Sequence, residues 1–242
     1  LRIDQIDLFF LSTNQCISTV TSDRGDWVKK AYGLVVDWET SGLRQHESPW
    51  RTYLEGPQGI EIGAVLVELP DFTPIAEYVS RVRFLGTAHG IQYGGPHTEL
   101  LTWSDEAETI HGISLNDLMG APTPTQVADE LVRFVLGHAG IDDAQKQPIM
   151  ICGHNPAGDA YCVRQLLFLG LAESKLRFHH RMLDSFSLGY MLLGTKSSNE
   201  LFKRVSDVVR GTHNALEDAR LTLAAFQLMR TMTKELTNTP LQ

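Results

Sequence analysis

The chain has 242 residues, enough for one medium-sized domain with an extension. Hydrophobic residues make up 43% of it, which supplies a globular core and excludes wholesale disorder. Twenty-nine acidic against 21 basic residues leave a net charge of −8, which excludes coating of nucleic acid by bulk charge but not an enzyme that grips a few nucleotides.

Cys16, Cys152 and Cys162 are too few and too scattered for a disulfide framework or a zinc site. No apolar run reaches the ~18 residues of a membrane span, and Leu1-Arg2-Ile3-Asp4 lacks a secretory pattern. The expectation is a reduced, cytoplasmic protein with no membrane partner. Residues 1–32 read as an N-terminal extension around the apolar knot Ile6, Leu8, Phe9, Phe10 and Leu11, and residues 33–242 as the folded domain.

In chain order, the first strand is Gly33 to Glu39, a β-branched run ending in acids before Thr40-Ser41-Gly42. Gly59 to Glu68 and Ile75 to Phe84 continue it as an antiparallel meander. Residues 86–98, with Gly86, Gly90, Gly94, Gly95 and Pro96, read as a long loop. From Thr123 the period becomes helical, with Thr123 or Thr125 as the cap and Val127, Leu131, Phe134 and Val135 on one face. A buried strand is predicted at Pro148 to Cys152, then helices at 159–171, 183–193, 199–210 and 214–235. Strands first and helices interleaved later give an α/β fold, a mixed sheet flanked by helices.

Asp37 and Glu39 stand at i and i+2 on a strand, so both side chains point to one face. Two carboxylates there repel unless a cation lies between them, although on spacing alone a solvated strand end is the commoner arrangement. Asp159 opens a helix directly after the buried strand, where the macrodipole favours an acid without any further role. His213 and Asp218 flank the start of the last helix and can face one cleft if His213 lies just outside its first turn.

Taken in order, these segments resemble the motifs of the DEDDh branch of the 3′–5′ exonucleases, within the ribonuclease H-like superfamily. Asp37-Trp38-Glu39-Thr40-Ser41-Gly42 resembles the first motif, Asp-x-Glu-Thr-x-Gly, and Ile60 to Val65 the strand after it. Ile110-His111-Gly112-Ile113-Ser114 is similar to a loop of the proofreading enzymes. Gly153 to Asp159 is similar to the second motif, and Leu183 to Gly189 to the helix beyond it. His213-Asn214-Ala215-Leu216-Glu217-Asp218 matches His-x-Ala-x-x-Asp, the third motif. Gly158 departs from the family's usual Phe, and Pro156 and the Gly-rich 86–98 stretch are also atypical.

The resemblance implies a ribonuclease H-like fold and metal-dependent release of nucleoside monophosphates from single-stranded 3′ ends, DNA slightly ahead of RNA. It implies two Mg²⁺ or Mn²⁺ ions held by Asp37, Glu39, Asp159 and Asp218, with His213 as general base. Substrate contacts would come from Thr40, Ser41, Gly42, Asn155 and a wedge of His111 and Ile113. The alternatives are an exoribonuclease trimming RNA 3′ ends and a catalytically silent nucleic-acid-binding subunit. A homodimer and a polymerase partner are both compatible with the sequence.

Overall fold

The computed structural model describes residues 30–42, 53–95, 97–142, 146–206 and 213–238. In chain order the elements are β1 (Ala31–Thr40), β2 (Gly56–Pro57), β3 (Gly59–Leu69), β4 (Thr73–Arg81), β5 (Thr87–Ala88), β6 (Ile91–Gln92) and β7 (Leu101–Thr102). Then come α1 (Asp105–His111), α2 (Leu115–Met119), α3 (Pro124–Ala139), β8 (Ile149–Gly153), α4 (Ala157–Leu169), β9 (Phe178–Asp184), α5 (Ser185–Leu193), α6 (Ser198–Phe202) and α7 (Ala215–Asn238).

The main sheet has the order β4-β3-β1-β8-β9. The meander β1-β3-β4 is antiparallel, as the sequence pattern predicts, and β1, β8 and β9 run parallel. Period-two alternation divides β1 between two cores. Leu34, Val36 and Trp38 pack with α3 and α4 on one face, whereas Val35 packs with α6 and α7 on the other. Helix α3 starts as its sequence dictates: Thr123 and Gln126 form a capping box, Pro124 opens the helix, and Gly140 closes it at φ 63°.

Four readings change. A strand, β9, occupies Phe178–Asp184, so the helix expected from 183 begins at Ser185. As an edge strand with an exposed centre, β9 shows no apolar alternation to betray it. The Gly-rich 86–98 stretch is not a plain loop: β5 and β6 form a hairpin over His89 and Gly90, both at positive φ. With β2 and β7 they make a second, four-stranded sheet above the small core of Ile60, Phe84 and Ile113. The helix expected over 199–210 ends at Phe202, and its predicted Arg210 lies outside the described residues. Strand β1 starts at Ala31, inside the expected extension, whose residues 1–29, Cys16 included, also lie outside. Among the described residues no helix is long and apolar enough to cross a membrane.

Candidate active site

Because Val35 faces α7, Asp37 and Glu39 face it too. The β1–β3 register sets Asp37 opposite Gly63 and Glu39 opposite Glu61, so these four positions share that face. A Cβ on Gly63 would lie 2.1 Å from the Ala215 carbonyl carbon and the Leu216 nitrogen. Glycine therefore lets the first turn of α7 rest on the sheet beside Asp37. That turn is fixed by Asn214, whose Oδ1 accepts from the Glu217 N–H at 3.1 Å.

The consequence is a convergence of three distant segments. One ligand atom each from Glu39, His213 and Asp218 lies within 4.8 Å of the others. Glu39 and Asp218 are 7% and 3% exposed, whereas the His213 side chain is 40% exposed. His213 Nδ1 stands 3.8 Å from Asp218 Oδ2. Two shielded carboxylates thus sit beneath an imidazole that water can reach.

Asp37 and Asp159 lie outside that group. Asp37 is two residues before Glu39 on the same face. Asp159 is in the first turn of α4, just past β8, whose parallel pairing puts Cys152 beside Val35. Both therefore belong to the C-terminal ends of adjacent parallel strands, where this topology gathers functional groups.

The loop into α4 is tethered. The Asn155 N–H donates to Asp184 Oδ1 at 2.9 Å, and Asn155 holds φ 56°. Asp184 also caps α5 through the Phe186 and Ser187 N–H groups. Burial alone would raise its pKa, but the Ser187 hydroxyl, which also donates to it, and these backbone N–H groups hold it below the usual carboxylate value.

Ser41, expected to meet substrate, is fully buried and knits the two sheets together. Its N–H donates to the Gln58 carbonyl, its hydroxyl to the Thr102 carbonyl, and its own carbonyl accepts from Ser104. Thr40 Oγ1 donates to the Gly42 carbonyl at 2.8 Å, closing the turn. His111 and Ile113, expected as a wedge, are both buried. His111 Nδ1 accepts from the Ile113 N–H at 3.0 Å, and burial lowers the imidazole's pKa from its ordinary value.

Sequence reasoning missed the pair Glu61 and Arg81. Glu61 lies directly across from Glu39 and is equally buried, while Arg81 Nε sits 3.4 Å from its Oε2. The guanidinium offsets a repulsion that the strand register would otherwise leave. Only the register of three strands places them together, so no local pattern could have identified them.

No family model matches the chain, and no curated protein matches it in sequence. Solved structures do. Exonuclease I of E. coli in complex with a dT13 oligonucleotide aligns with a TM-score of 0.56 at 14% identity, covering 86% of this chain and 43% of that one. The chain thus spans less than half of that enzyme's length. The nuclease domain of 3′hExo, a DEDDh family member bound to rAMP, aligns at 0.53 and 14% identity, covering 86% of this chain and 94% of that one. A 3′-exonuclease recognising a histone mRNA stem-loop aligns at 0.54 and 14% identity, over 85% and 83%. The α/β fold expected from the sequence is shared with these exonucleases.

Proposed function

We propose that the protein is a metal-dependent 3′–5′ exonuclease of the DEDDh branch, releasing nucleoside monophosphates from single-stranded ends, DNA ahead of RNA. The observation that carries this reading is the meeting of Glu39, His213 and Asp218 within 4.8 Å, in a fold shared with exonucleases.

The donor set fits a hard cation. Neighbouring carboxylates this deeply buried repel, and their oxygens suit Mg²⁺ or Mn²⁺ rather than zinc. Glu39 and Asp218 would hold one ion, and Asp37 and Asp159 would complete a two-ion site. Such ions would neutralise charge at phosphorus and on the leaving oxygen.

The remaining work belongs to the chain. His213, open to water, takes the proton of the attacking water as its oxygen bonds to the terminal phosphorus. The P–O3′ bond to the penultimate nucleotide breaks, and the leaving oxygen takes a proton from solvent to become the 3′-hydroxyl of the shortened strand. Asp218 Oδ2 lies 3.8 Å from Nδ1, which keeps the imidazole over the acids. Thr40 and Gly42 would meet the terminal sugar, held in place by the buried Ser41. His111 and Ile113 would floor the base site, and Asn155 would orient the loop before Asp159.

End-labelled DNA and RNA strands incubated with Mg²⁺ or EDTA test this. Laddering from the 3′ end only with metal, lost in Asp218→Ala, supports the enzyme. Binding without degradation under both conditions would leave a silent binding module instead.

A further inference from the structure

A concave surface lies away from the candidate catalytic acids. It is a cavity of about 700 Å³ whose lining includes Tyr53, Arg164, Glu173, Ser174, Arg177 and Phe178. Its size falls within the range of small-ligand pockets. The Arg177 carbonyl accepts from the Ile149 N–H at 2.9 Å, which places that wall at the N-terminal ends of β8 and β9. The catalytic acids occupy the opposite, C-terminal ends. On α4, Arg164 follows Asp159 by five residues, ~7.5 Å along the axis and ~140° around it.

The cavity has the chemistry of a nucleotide site. Arg164, Arg177 and Glu173 sum to +1 in a chain of net charge −8, so the pocket is locally basic. Guanidinium forks match phosphate oxygens. Tyr53 and Phe178 supply flat faces on which a base can stack. Tyr53 is already positioned: its ring centroid lies 5.3 Å from that of Tyr161 and 5.6 Å from that of Phe168, and its carbonyl accepts from Gln165 Nε2. Glu173 and Ser174 can accept from exocyclic amines of the base.

We propose that this cavity is a second nucleotide-binding site, taking one phosphate and its base. Its occupant is either a free nucleoside monophosphate or a nucleotide in the distal part of a bound strand. The strand source rests on the exonuclease reading; the free nucleotide does not.

The test compares wild type with Arg164→Ala/Arg177→Ala, and with Arg164→Glu as an independent charge reversal. Calorimetry in EDTA measures binding of dTMP, AMP and dT13 where no cleavage occurs. Kinetics with Mg²⁺ then give KM and kcat on dT13 and on a dinucleotide too short to bridge both sites. A strand site predicts that both variants weaken dT13 about five-fold or more, in KM rather than kcat, with a salt slope shallower by about one. A site for free nucleotide predicts loss of one dTMP or AMP site with dT13 unchanged. Unaltered binding of all three probes overturns the proposal. Absence of cleavage by wild type in Mg²⁺ would instead count against the exonuclease reading, and the EDTA arm still decides this site.

Discussion

Gly63 and Ala215 approach so closely that a single methyl on Gly63 would fall 2.1 Å from the Ala215 carbonyl carbon. That contact seats α7 on the β1–β3 pair, with Asp37 directly across from Gly63. Both the sheet acids and Asp218 therefore take their relative position from one glycine.

Gly63→Ala should shift α7 and uncouple the two halves of the site. Overpacking of this kind destabilises by about 1–3 kcal/mol. Each kcal/mol lowers Tm by about 2–4 °C in a chain of this size. Cleavage should fall by about 10²-fold, because misplacement by ~1 Å is enough. Gly137→Ala is the control: in α3, with nothing within 4 Å of its added Cβ, it should stabilise by about 0.5–1 kcal/mol and leave cleavage intact. Wild-type cleavage by Gly63→Ala would show that the seat of α7 does not govern the site.

Glu39→Gln and Asp218→Asn each remove a negative charge from a crowded, buried group. In EDTA their Tm should equal or exceed that of wild type, since repulsion is relieved. In wild type, Mg²⁺ at 100 times its Kd should add about 2.7 kcal/mol of stability. Differential scanning fluorimetry with and without Mg²⁺ should show that gain largely lost in both variants. An identical Mg²⁺ shift in all three proteins would remove Glu39 and Asp218 from the metal site.

Legibility followed locality. Period-two alternation was enough to put Asp37 and Glu39 on one face, and the helical period with its Thr123 cap was enough for α3. The two-residue strands β2, β5, β6 and β7 carry too few positions for any period to register. The sequence pattern puts Asp184 in the first turn of a helix from 183, yet it is the cap that also ties down Asn155, a contact 29 residues away in sequence. Glu61 and Arg81 are invisible for the same reason: their meaning comes from facing Glu39 across three strands.

Arg220 is a second anchor for α7. Its guanidinium donates through Nε and Nη2 to both oxygens of Glu77 on β4 and through Nη1 to Glu217. Arg220 and Glu77 side chains are each 43% exposed, so solvent screening limits the pair to about 1 kcal/mol or less. A double-mutant cycle of Arg220→Ala and Glu77→Ala by urea denaturation should return a coupling of about 0.5–1 kcal/mol that shrinks at high salt. A coupling near zero at low salt would show that the Arg220–Glu77 pair does not help to anchor α7.

Cys152 should be chemically silent in the native protein. Burial pushes its thiol up to about 12, so at pH 8 only about one molecule in 10⁴ carries the reactive thiolate. Iodoacetamide followed by peptide mapping should leave Cys152 unmodified until denaturant is added. Rapid labelling under native conditions would contradict its packing between β1 and α7.

His111 should make stability depend on pH in the mildly acidic range. Burial, chiefly, lowers its pKa in the folded state, and the nearby His213 contributes in the same direction. The unfolded chain takes up the proton at the ordinary value near ~6.5, while the folded chain resists it. The contribution is therefore complete above ~6.5 and is lost as pH falls through that value toward the lower folded pKa. His111→Gln should flatten the curve of unfolding free energy against pH below ~6.5 by up to about 1.4 kcal/mol per pH unit. Urea titrations across that range measure it, and parallel curves for wild type and His111→Gln would mean that this imidazole protonates as readily in the folded chain as in the unfolded one.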